Sequence, residues 1–477
     1  MRPNSLVAMG GAWQKSTVPP MRPHPRSPAS RSGIVLFCAV LLWRGAGAPV
    51  IAGPGAGDPA ENAALHYWKA AALVQQPRTP AEMEIAAFAS GLLEGLPPRV
   101  FLVQPEALRW LLNERPMLAA LDAGSRLPVC AFPVYREEEP APDLGHLASL
   151  RLVAARARAA AKAFEHADNA EGAALIHAGL LRMLRHLDQD GAIQSGLVAC
   201  ELLQEVLADL ASFLGRDQPR SAVAPLAAVF VESATTRLHP SSYLETEARH
   251  YGDWLVASLP TVEGKLGRLY GNSRHKPAVE KLATLDETRK SERLQEWVAN
   301  YRARMAALAK NLELPYAQGV GVIREMDRKK IMLQKDPTGG SNPLVPLLVP
   351  RAFEMYQRFL LAQAQFACAE ILCTAALYRA EHGAWPPSLD ELALYAQRTF
   401  PPDPFGGTPL HYRLADDAPR LIIRVPRWIA SNRSLLYDVF LADISRTDDR
   451  NLREFIRDLD SKNAAARRQA AAPATRK

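Results

Sequence analysis

The chain has 477 residues, of which 48% are hydrophobic and 22% are charged, so it has room for two or three domains and enough apolar side chains for a sizeable core. Its formal net charge of +7 is concentrated at one end, because residues 1–52 hold six basic side chains and no acidic one. The remaining chain carries 51 basic and 50 acidic side chains. A nearly neutral body lacks the electrostatic footprint of a nucleic-acid-binding protein, so no nucleic-acid partner is expected.

The first 52 residues have the order of a secretory signal. Arg22, Arg26 and Arg31 precede an apolar run at 34–43, and an Ala-x-Ala site follows it. The run is too short to span a bilayer, so the membrane is expected to be contacted only through an uncleaved signal. We therefore predict a signal peptide region at 1–52, with Met21 as an alternative start, and an exported protein of the periplasm or cell envelope. An uncleaved anchor is the competing interpretation.

Four cysteines remain after removal of the signal: Cys130, Cys200, Cys368 and Cys373. They form no Cys-x-x-Cys pair, so neither a zinc ribbon nor a thioredoxin-type site is indicated. Cys368 and Cys373 lie five positions apart on one predicted helix, which places them on different faces and prevents a disulfide between them. An oxidising compartment allows a long-range disulfide, but buried free thiols are the favoured interpretation.

Residues 57–334 are predicted to form a helical domain. The recurrence of apolar side chains at three- and four-residue steps predicts helices at 60–75, 81–94, 104–113, 144–166, 169–187, 190–214, 225–238, 241–259, 286–312 and 315–333. Short connections make consecutive helices antiparallel neighbours. The helices between 144 and 214 resemble tetratricopeptide hairpins in spacing, but the repeat does not recur cleanly. The predicted fold is therefore mainly α, a helical-hairpin bundle that is tetratricopeptide-like in part.

A Pro/Gly-rich linker is predicted at 335–350, and a different pattern follows it. An apolar stripe predicts a long helix at 352–382 that ends at Gly383, a position suited to a left-handed residue. Ser388 and Glu391 have the spacing of a capping box that opens a short helix. Alternating apolar residues then predict strands at 410–414 and 421–425.

The segments "ALYRAEHGAWPPSLDEL" and "PPDPFGGTPLHYRL" resemble the lower helix and first strands of type II secretion pseudopilins. Those proteins show a long helix, a G-x-W/Y-P corner, a short helix and a DP(F/W)G-x-P-L-x-Y segment. The resemblance covers about 367–425 and implies a small α+β domain of the G type at 351–445 with a short antiparallel sheet. The charged residues at 446–477 are predicted to be a partly disordered tail. Arg427-Trp428-Ile429 stands where many pseudopilins have a calcium-binding loop. The order of the whole chain is similar to uncharacterised exported bacterial proteins, which implies no activity.

Few residues have the spacing of a catalytic or metal site. Glu247 and His250 match the Glu-x-x-His element of a di-iron helix, but no second copy occurs, so an exposed helix face is favoured. His177 and His186 lie nine positions apart on one helix and point to opposite sides, so they cannot share a metal there. His186 with Asp188 is more typical of a turn than of a dyad.

No nucleophile elbow, Walker loop, His-Glu-x-x-His or EF-hand loop occurs, and the acidic run at 137–139 is interpreted as a solvated loop. The sequence therefore predicts no catalytic, cofactor-binding or metal-binding residue, and it predicts that charged and histidine side chains are scattered over the exterior. Trp68, Trp254, Trp297 and Tyr301 are expected in the core.

Two functions fit these observations. The first is a non-catalytic envelope protein, a helical scaffold or protein-interaction module whose partner is another envelope protein. The second is an exported hydrolase or metalloenzyme whose site assembles from distant helices. The missing motifs favour the first.

Overall fold

The computed structural model describes residues 61–77, 79–80, 82–83, 109–111, 113–134, 142–233, 238, 240–257, 276–335, 342–415 and 418–422. The signal region, the acidic run at 137–139 and the charged tail lie outside these residues. The predicted helix at 81–94 lies almost wholly outside them, whereas residues 109–111 of the one predicted at 104–113 are described and helical. The described residues belong to one compact unit.

The described part of the chain is mainly helical, as predicted. Thirteen helices and two strands lie in it: α1 Ala63–Leu73, α2 Arg115–Ser125, α3 Gly145–His166, α4 Ala170–Asp188, α5 Ile193–Leu214, α6 Arg220–Ser233, α7 Pro240–Ala257, α8 Lys276–Ala283, α9 Glu287–Leu312, α10 Tyr316–Lys335, α11 Leu344–Leu348, α12 Ala352–His382, α13 Leu389–Ala396, β1 His411–Ala415 and β2 Ala418–Ile422.

Most predicted helices begin and end within two residues of their observed bounds, because the apolar stripe and the capping residues indicate the same ends for each helix. Asn169 accepts a hydrogen bond from the Gly172 N–H at 2.8 Å and caps α4. Asp286 accepts one from the Arg289 N–H at 2.9 Å and caps α9. The side-chain oxygens take up donors that the first turn of a helix leaves free.

Five helical predictions need correction. Helices α2, α8 and α11 are not predicted from their sequence patterns, although Met117 and Leu121 are buried on one face of α2 and Leu344 is buried on α11 inside the predicted linker. Helix α6 begins at Arg220, five residues before the predicted start at Pro225, because Ala222 and Val223 are fully buried by their neighbours. Asp190 does not open α5, which begins at Ile193. The Asp190 carboxylate instead accepts the Ala192 N–H at 3.0 Å and bonds to a distant histidine.

The long helix α12 packs against both earlier and neighbouring helices of the described fold. It contacts α5, α6 and α10, although α5 and α6 lie far before it in the chain. It is the one helix among the described residues with the length and apolarity to cross a membrane, and 83% of its most apolar 18-residue window is buried inside the fold. Protein side chains therefore cover the apolar face that would otherwise contact lipid or water.

The chain turns after α12 as the sequence predicts. Gly383 has φ 77°, the left-handed conformation that ends a helix at little cost for glycine. Ser388 accepts the Glu391 N–H at 3.1 Å and opens α13. The Glu391 carboxylate does not complete the reciprocal capping box, because it accepts the Tyr378 hydroxyl at 2.6 Å.

The two strands form an antiparallel hairpin in which His411 pairs with Ile422 and Ala415 with Ala418. The second strand begins three residues before its predicted start. The Tyr412 hydroxyl donates to the Pro386 carbonyl at 2.7 Å and joins the hairpin to the corner after α12. The short connection sets this register, because each residue of one strand must face one of the other.

Candidate functional site

A cleft of about 620 Å³ lies between the helical bundle and the Pro-rich loop at 398–407. Helices α4, α5 and α12 line one side, and the end of α9 and the loop line the other. Glu313, Thr399 and Pro402 are exposed members of the lining, so the cleft opens to solvent at these residues. Its volume lies within the range of about 300–1,000 Å³ that is common for small-molecule sites. We call it the interhelical cleft.

The interhelical cleft has a largely aliphatic surface. Seven of its described lining residues are leucines, and Phe366 is the one aromatic side chain among them. Leu181 and Leu184 on α4 lie three positions apart. Leu360, Gln363 and Ala367 on α12 also follow helical spacing, so the pattern that builds the bundle also builds this wall. An aliphatic wall favours binding through apolar contact rather than through ring stacking.

The Pro-rich wall is held by backbone hydrogen bonds to one carboxylate residue. Asp403 is 2% exposed, and its Oδ1 accepts the Phe405 N–H at 2.9 Å. Its backbone carbonyl accepts the Gly407 N–H at 2.7 Å. The Pro404 carbonyl accepts the Tyr316 N–H at 3.2 Å and ties the loop to α10. The loop is therefore built as an ordered wall of the cleft.

The other carboxylates of the lining also have partners. Asp188 accepts a hydrogen bond from the Tyr243 hydroxyl, and Glu313 accepts one from the Ser241 hydroxyl at 2.5 Å. A further pair joins two elements of the cleft: Glu370 on α12, which is 3% exposed, lies 2.7 Å from Nη1 of Arg398. These contacts neutralise or satisfy the acids that line the wall.

Arg185 differs from these residues. It lines the interhelical cleft, and its Nε is buried without a hydrogen-bond partner. Its guanidinium makes no ion pair with any residue that the structure describes. The neighbouring arginine on the same helix, Arg182, pairs with Glu232 at 3.0 Å. Arg185 is thus a charged group of the wall whose Nε has no acceptor among the described residues.

Sequence reasoning did not single out Arg185. A signal was present, because this arginine follows Leu181 and Leu184 within the apolar stripe of α4. A charged side chain inside such a stripe must reach either a buried partner or a cavity. The sequence could not indicate which of these two applied.

His177 and His186 are buried separately and do not share a site. The His186 Nδ1 lies 2.6 Å from the Tyr67 hydroxyl, and burial together with the charge of Arg185 lowers the pKa of His186 to about 4. His177 is fully buried, and its Nε2 lies 3.7 Å from Glu165. His186 and Asp188 do not form a catalytic dyad. The hydrogen-bond partner of His186 is Tyr67, and that of Asp188 is Tyr243.

The Glu-x-x-His element does not lie on an exposed face, which corrects the prediction. Glu247 is 8% exposed, and its Oε1 accepts the Ile193 N–H at 3.0 Å at the start of α5. Burial raises the pKa of Glu247 to about 7, although the bond from Ile193 opposes this rise. His250 lies against the ring of Tyr251 at 5.6 Å between centroids. Glu247 therefore joins two helices and caps one of them.

A buried histidine–carboxylate pair lies near Cys130 and was not predicted. The His146 Nε2 is 2.9 Å from Asp190 Oδ2, and both side chains are almost inaccessible. Burial and the nearby Asp190 charge raise the pKa of the Cys130 thiol above its usual range. A reactive cysteine requires a lowered pKa, so this environment suits a structural thiol. All four cysteines outside the signal region are free and buried, as favoured from the sequence.

The expectation that charged side chains are scattered over the exterior is also wrong in part. Arg158 and Asp209 are each 6% exposed, and their side chains form a 2.6 Å hydrogen bond between α3 and α5. Burial raises the pKa of Asp209, but the charges of Arg158 and Lys162 outweigh it and hold that pKa below its usual value. Of the four aromatics expected in the core, Trp254, Trp297 and Tyr301 are buried, whereas Trp68 is only partly buried at the edge of the core.

Within the described ranges, no group of three or more His, Cys, Asp or Glu side chains is placed to hold a metal ion. Most of the buried polar side chains described above join helices or cap them, although neither ring nitrogen of His177 makes a hydrogen bond to a described residue. The interhelical cleft instead offers an apolar surface that includes Arg185, whose Nε has no acceptor there. No protein-family model matches the chain, and no curated protein or solved structure matches it.

Proposed function

We propose that this chain is a non-catalytic binding protein of the cell envelope, a helical scaffold whose interhelical cleft receives its partner. The observation that carries the proposal is the chemistry of the cleft. Its described lining contains leucines, prolines and several charged side chains but no imidazole and no thiol. Hydrolytic sites commonly bring a nucleophile and a base within hydrogen-bond distance, and this surface offers no such pair among those residues.

Several buried ionisable groups support the same proposal, because they are used between structural elements. The Arg158–Asp209 pair joins α3 to α5, and Glu247 joins α7 to the start of α5. Such groups are costly to bury unless they are paired. Their present hydrogen bonds offset this cost and explain their burial without a catalytic role. Binding at an apolar surface remains the activity that the described residues favour.

Export to the envelope is part of the proposal and is supported by the basic, apolar and small-residue order of 1–52. Expression of the full chain in a bacterial host, followed by fractionation and N-terminal sequencing, tests it. We expect a shortened chain in the periplasmic or membrane fraction. An unprocessed chain in the cytosol would contradict the envelope location without bearing on the cleft.

We also propose that 351–445 is a pseudopilin-like module of the scaffold and that α3 to α5 are tetratricopeptide-like in part. Support for the first comes from the order of a long helix, the Gly383 corner, the Ser388 cap and an antiparallel hairpin. Support for the second comes from the packing of α4 against α3 and α5. Experimental coordinates of the full chain, superposed on G-type pseudopilins, test the first assignment.

Site-specific photo-crosslinking tests the binding function. A photoreactive residue in place of Thr399, at the mouth of the cleft, is expected to trap a discrete envelope protein or ligand in cells. The matched control carries it in place of Leu394, which is 79% exposed and lies on α13 outside the cleft lining. Identical adducts from both positions, or none from Thr399, would contradict the cleft as a binding site.

Turnover in a hydrolase screen, or a stoichiometric metal in the purified protein, would contradict the non-catalytic part.

A further inference from the structure

We propose that the interhelical cleft binds an aliphatic carboxylate, with the apolar chain against the leucine wall and the carboxylate on Arg185. This inference rests on the proposed binding function of the cleft and adds the chemical class of the occupant. Two independent features of the wall specify the two ends of such a ligand.

The apolar end follows from the shape and composition of the cleft. Its volume is about 620 Å³, and leucines from α4, α5, α9 and α12 face it. Leu184 and Leu360 are 4% exposed, and Leu203 is 5% exposed, so this surface is largely sheltered from water. With Phe366 as the one aromatic member of the described lining, the wall suits a flexible alkyl chain better than a flat ring.

The sign of the polar end follows from which wall groups already have partners. Asp188, Glu313, Glu370 and Asp403 each accept a hydrogen bond or ion pair from the protein. Arg185 donates none among the described residues, and its Nε is shielded from water. A buried donor without an acceptor is costly. An anionic oxygen of a ligand at this point would accept the hydrogen bond that Arg185 Nε does not make within the described protein.

A carboxylate suits this position better than a larger anion. One guanidinium can hold a carboxylate through two parallel N–H···O bonds. A phosphate carries more charge, and the nearby Asp188 and Glu370 carboxylates oppose it. Arg398 is no second anion site, because it is already paired with Glu370 at 2.7 Å.

Calorimetric titration of the full chain with three matched amphiphiles tests the inference: dodecanoate, dodecanol and dodecyltrimethylammonium, each below its micelle concentration at neutral pH. We expect one dodecanoate per chain, weaker binding of the alcohol and the weakest binding of the ammonium. Arg185→Met should weaken dodecanoate binding about tenfold to a hundredfold and leave dodecanol binding unchanged.

Arg182→Met is the matched control, because this arginine lies one turn away on α4 and pairs with Glu232 instead of lining the cleft. It should change dodecanoate binding less than about twofold. Equal binding of the carboxylate and the ammonium, or an unchanged affinity in Arg185→Met, overturns the assignment of Arg185. If no amphiphile binds while Thr399 still gives a specific adduct, the ligand class is wrong and the binding function stands. If both fail, the cleft has no binding role.

Discussion

The helical body at 142–335 and the end segment at 383–422 use polar side chains in opposite ways. In the body, buried polar groups join helices that are distant in sequence: Arg158 bonds to Asp209 at 2.6 Å, and His146 bonds to Asp190 at 2.9 Å. In the end segment, Ser388 and Asp403 bond to the backbone of their own turns, Ser388 to the Glu391 N–H at 3.1 Å, while Arg398 pairs with Glu370 of α12. The buried pairs within the body therefore join distant helices, whereas Ser388 and Asp403 act as local caps.

The difference has an energetic consequence. A charge buried between helices loses its hydration and depends fully on its partner, so breaking the pair is expensive. A cap or turn residue loses a single hydrogen bond when it is replaced, and water can reach much of what remains. Replacements in the body should therefore destabilise the protein more than replacements in the end segment.

The largest effect is expected from breaking the buried pair between α3 and α5. Asp209→Ala leaves Arg158, which is 6% exposed, with only its bond to the partly exposed Glu205. We expect a loss of about 3 kcal/mol in the free energy of unfolding, measured in urea. The control is Glu201→Ala, which breaks the exposed Arg151 pair between the same helices and should cost less than about 1 kcal/mol. Equal losses would contradict the contrast.

The next effect depends on pH and comes from Glu247. Burial raises its folded-state pKa to about 7 from a reference value of 4.5, so the native state binds this proton more tightly than the unfolded state. Stability from this group is full below about pH 4.5 and is lost as the pH rises through about 7, by on the order of 3 kcal/mol.

Glu247→Gln keeps an oxygen for the Ile193 N–H but does not ionise. Urea titrations across this pH range should show a smaller decline for this variant than for the wild type. Glu245→Gln, at an exposed position of the same helix, should retain the wild-type decline. Parallel curves for the wild type and Glu247→Gln would show that Glu247 is not the group responsible.

A smaller effect is expected at the Pro-rich wall of the cleft. Asp403→Ala removes the acceptor of the Phe405 N–H and should cost about 1–3 kcal/mol. Asp403→Asn retains a side-chain oxygen in the same place and should cost less. Unfolding in urea measures both. Equal losses from both variants would mean that the charge of Asp403, rather than its turn geometry, holds the wall.

The smallest effect is expected at the cap of α13. Ser388→Ala loses the bond to the Glu391 N–H and should cost about 1 kcal/mol, whereas Ser388→Asp should be nearly neutral. Urea unfolding again provides the measurement. A loss as large as that of Asp209→Ala would remove the distinction between the two regions.

The same contrast explains what could be predicted from the sequence. The bounds of α12, the left-handed Gly383 and the Ser388 cap agree with prediction, because each depends on residues within a few positions of one another. Asp190 was expected to open α5, but its carboxylate bonds to His146, which lies 44 positions away. The interhelical cleft was not predicted either, since Arg185 and Arg398 come together only through packing.

The sequence by itself determined the helical character of the described chain, most helix ends and the turn after α12, since helix periodicity and capping act over a few residues. The tertiary structure alone decided which polar groups are buried in pairs and which cation faces a cavity. The physical reason is that a pair such as Glu247 with the Ile193 N–H spans 54 positions and forms only when helices pack. Local patterns hold no information about that partner.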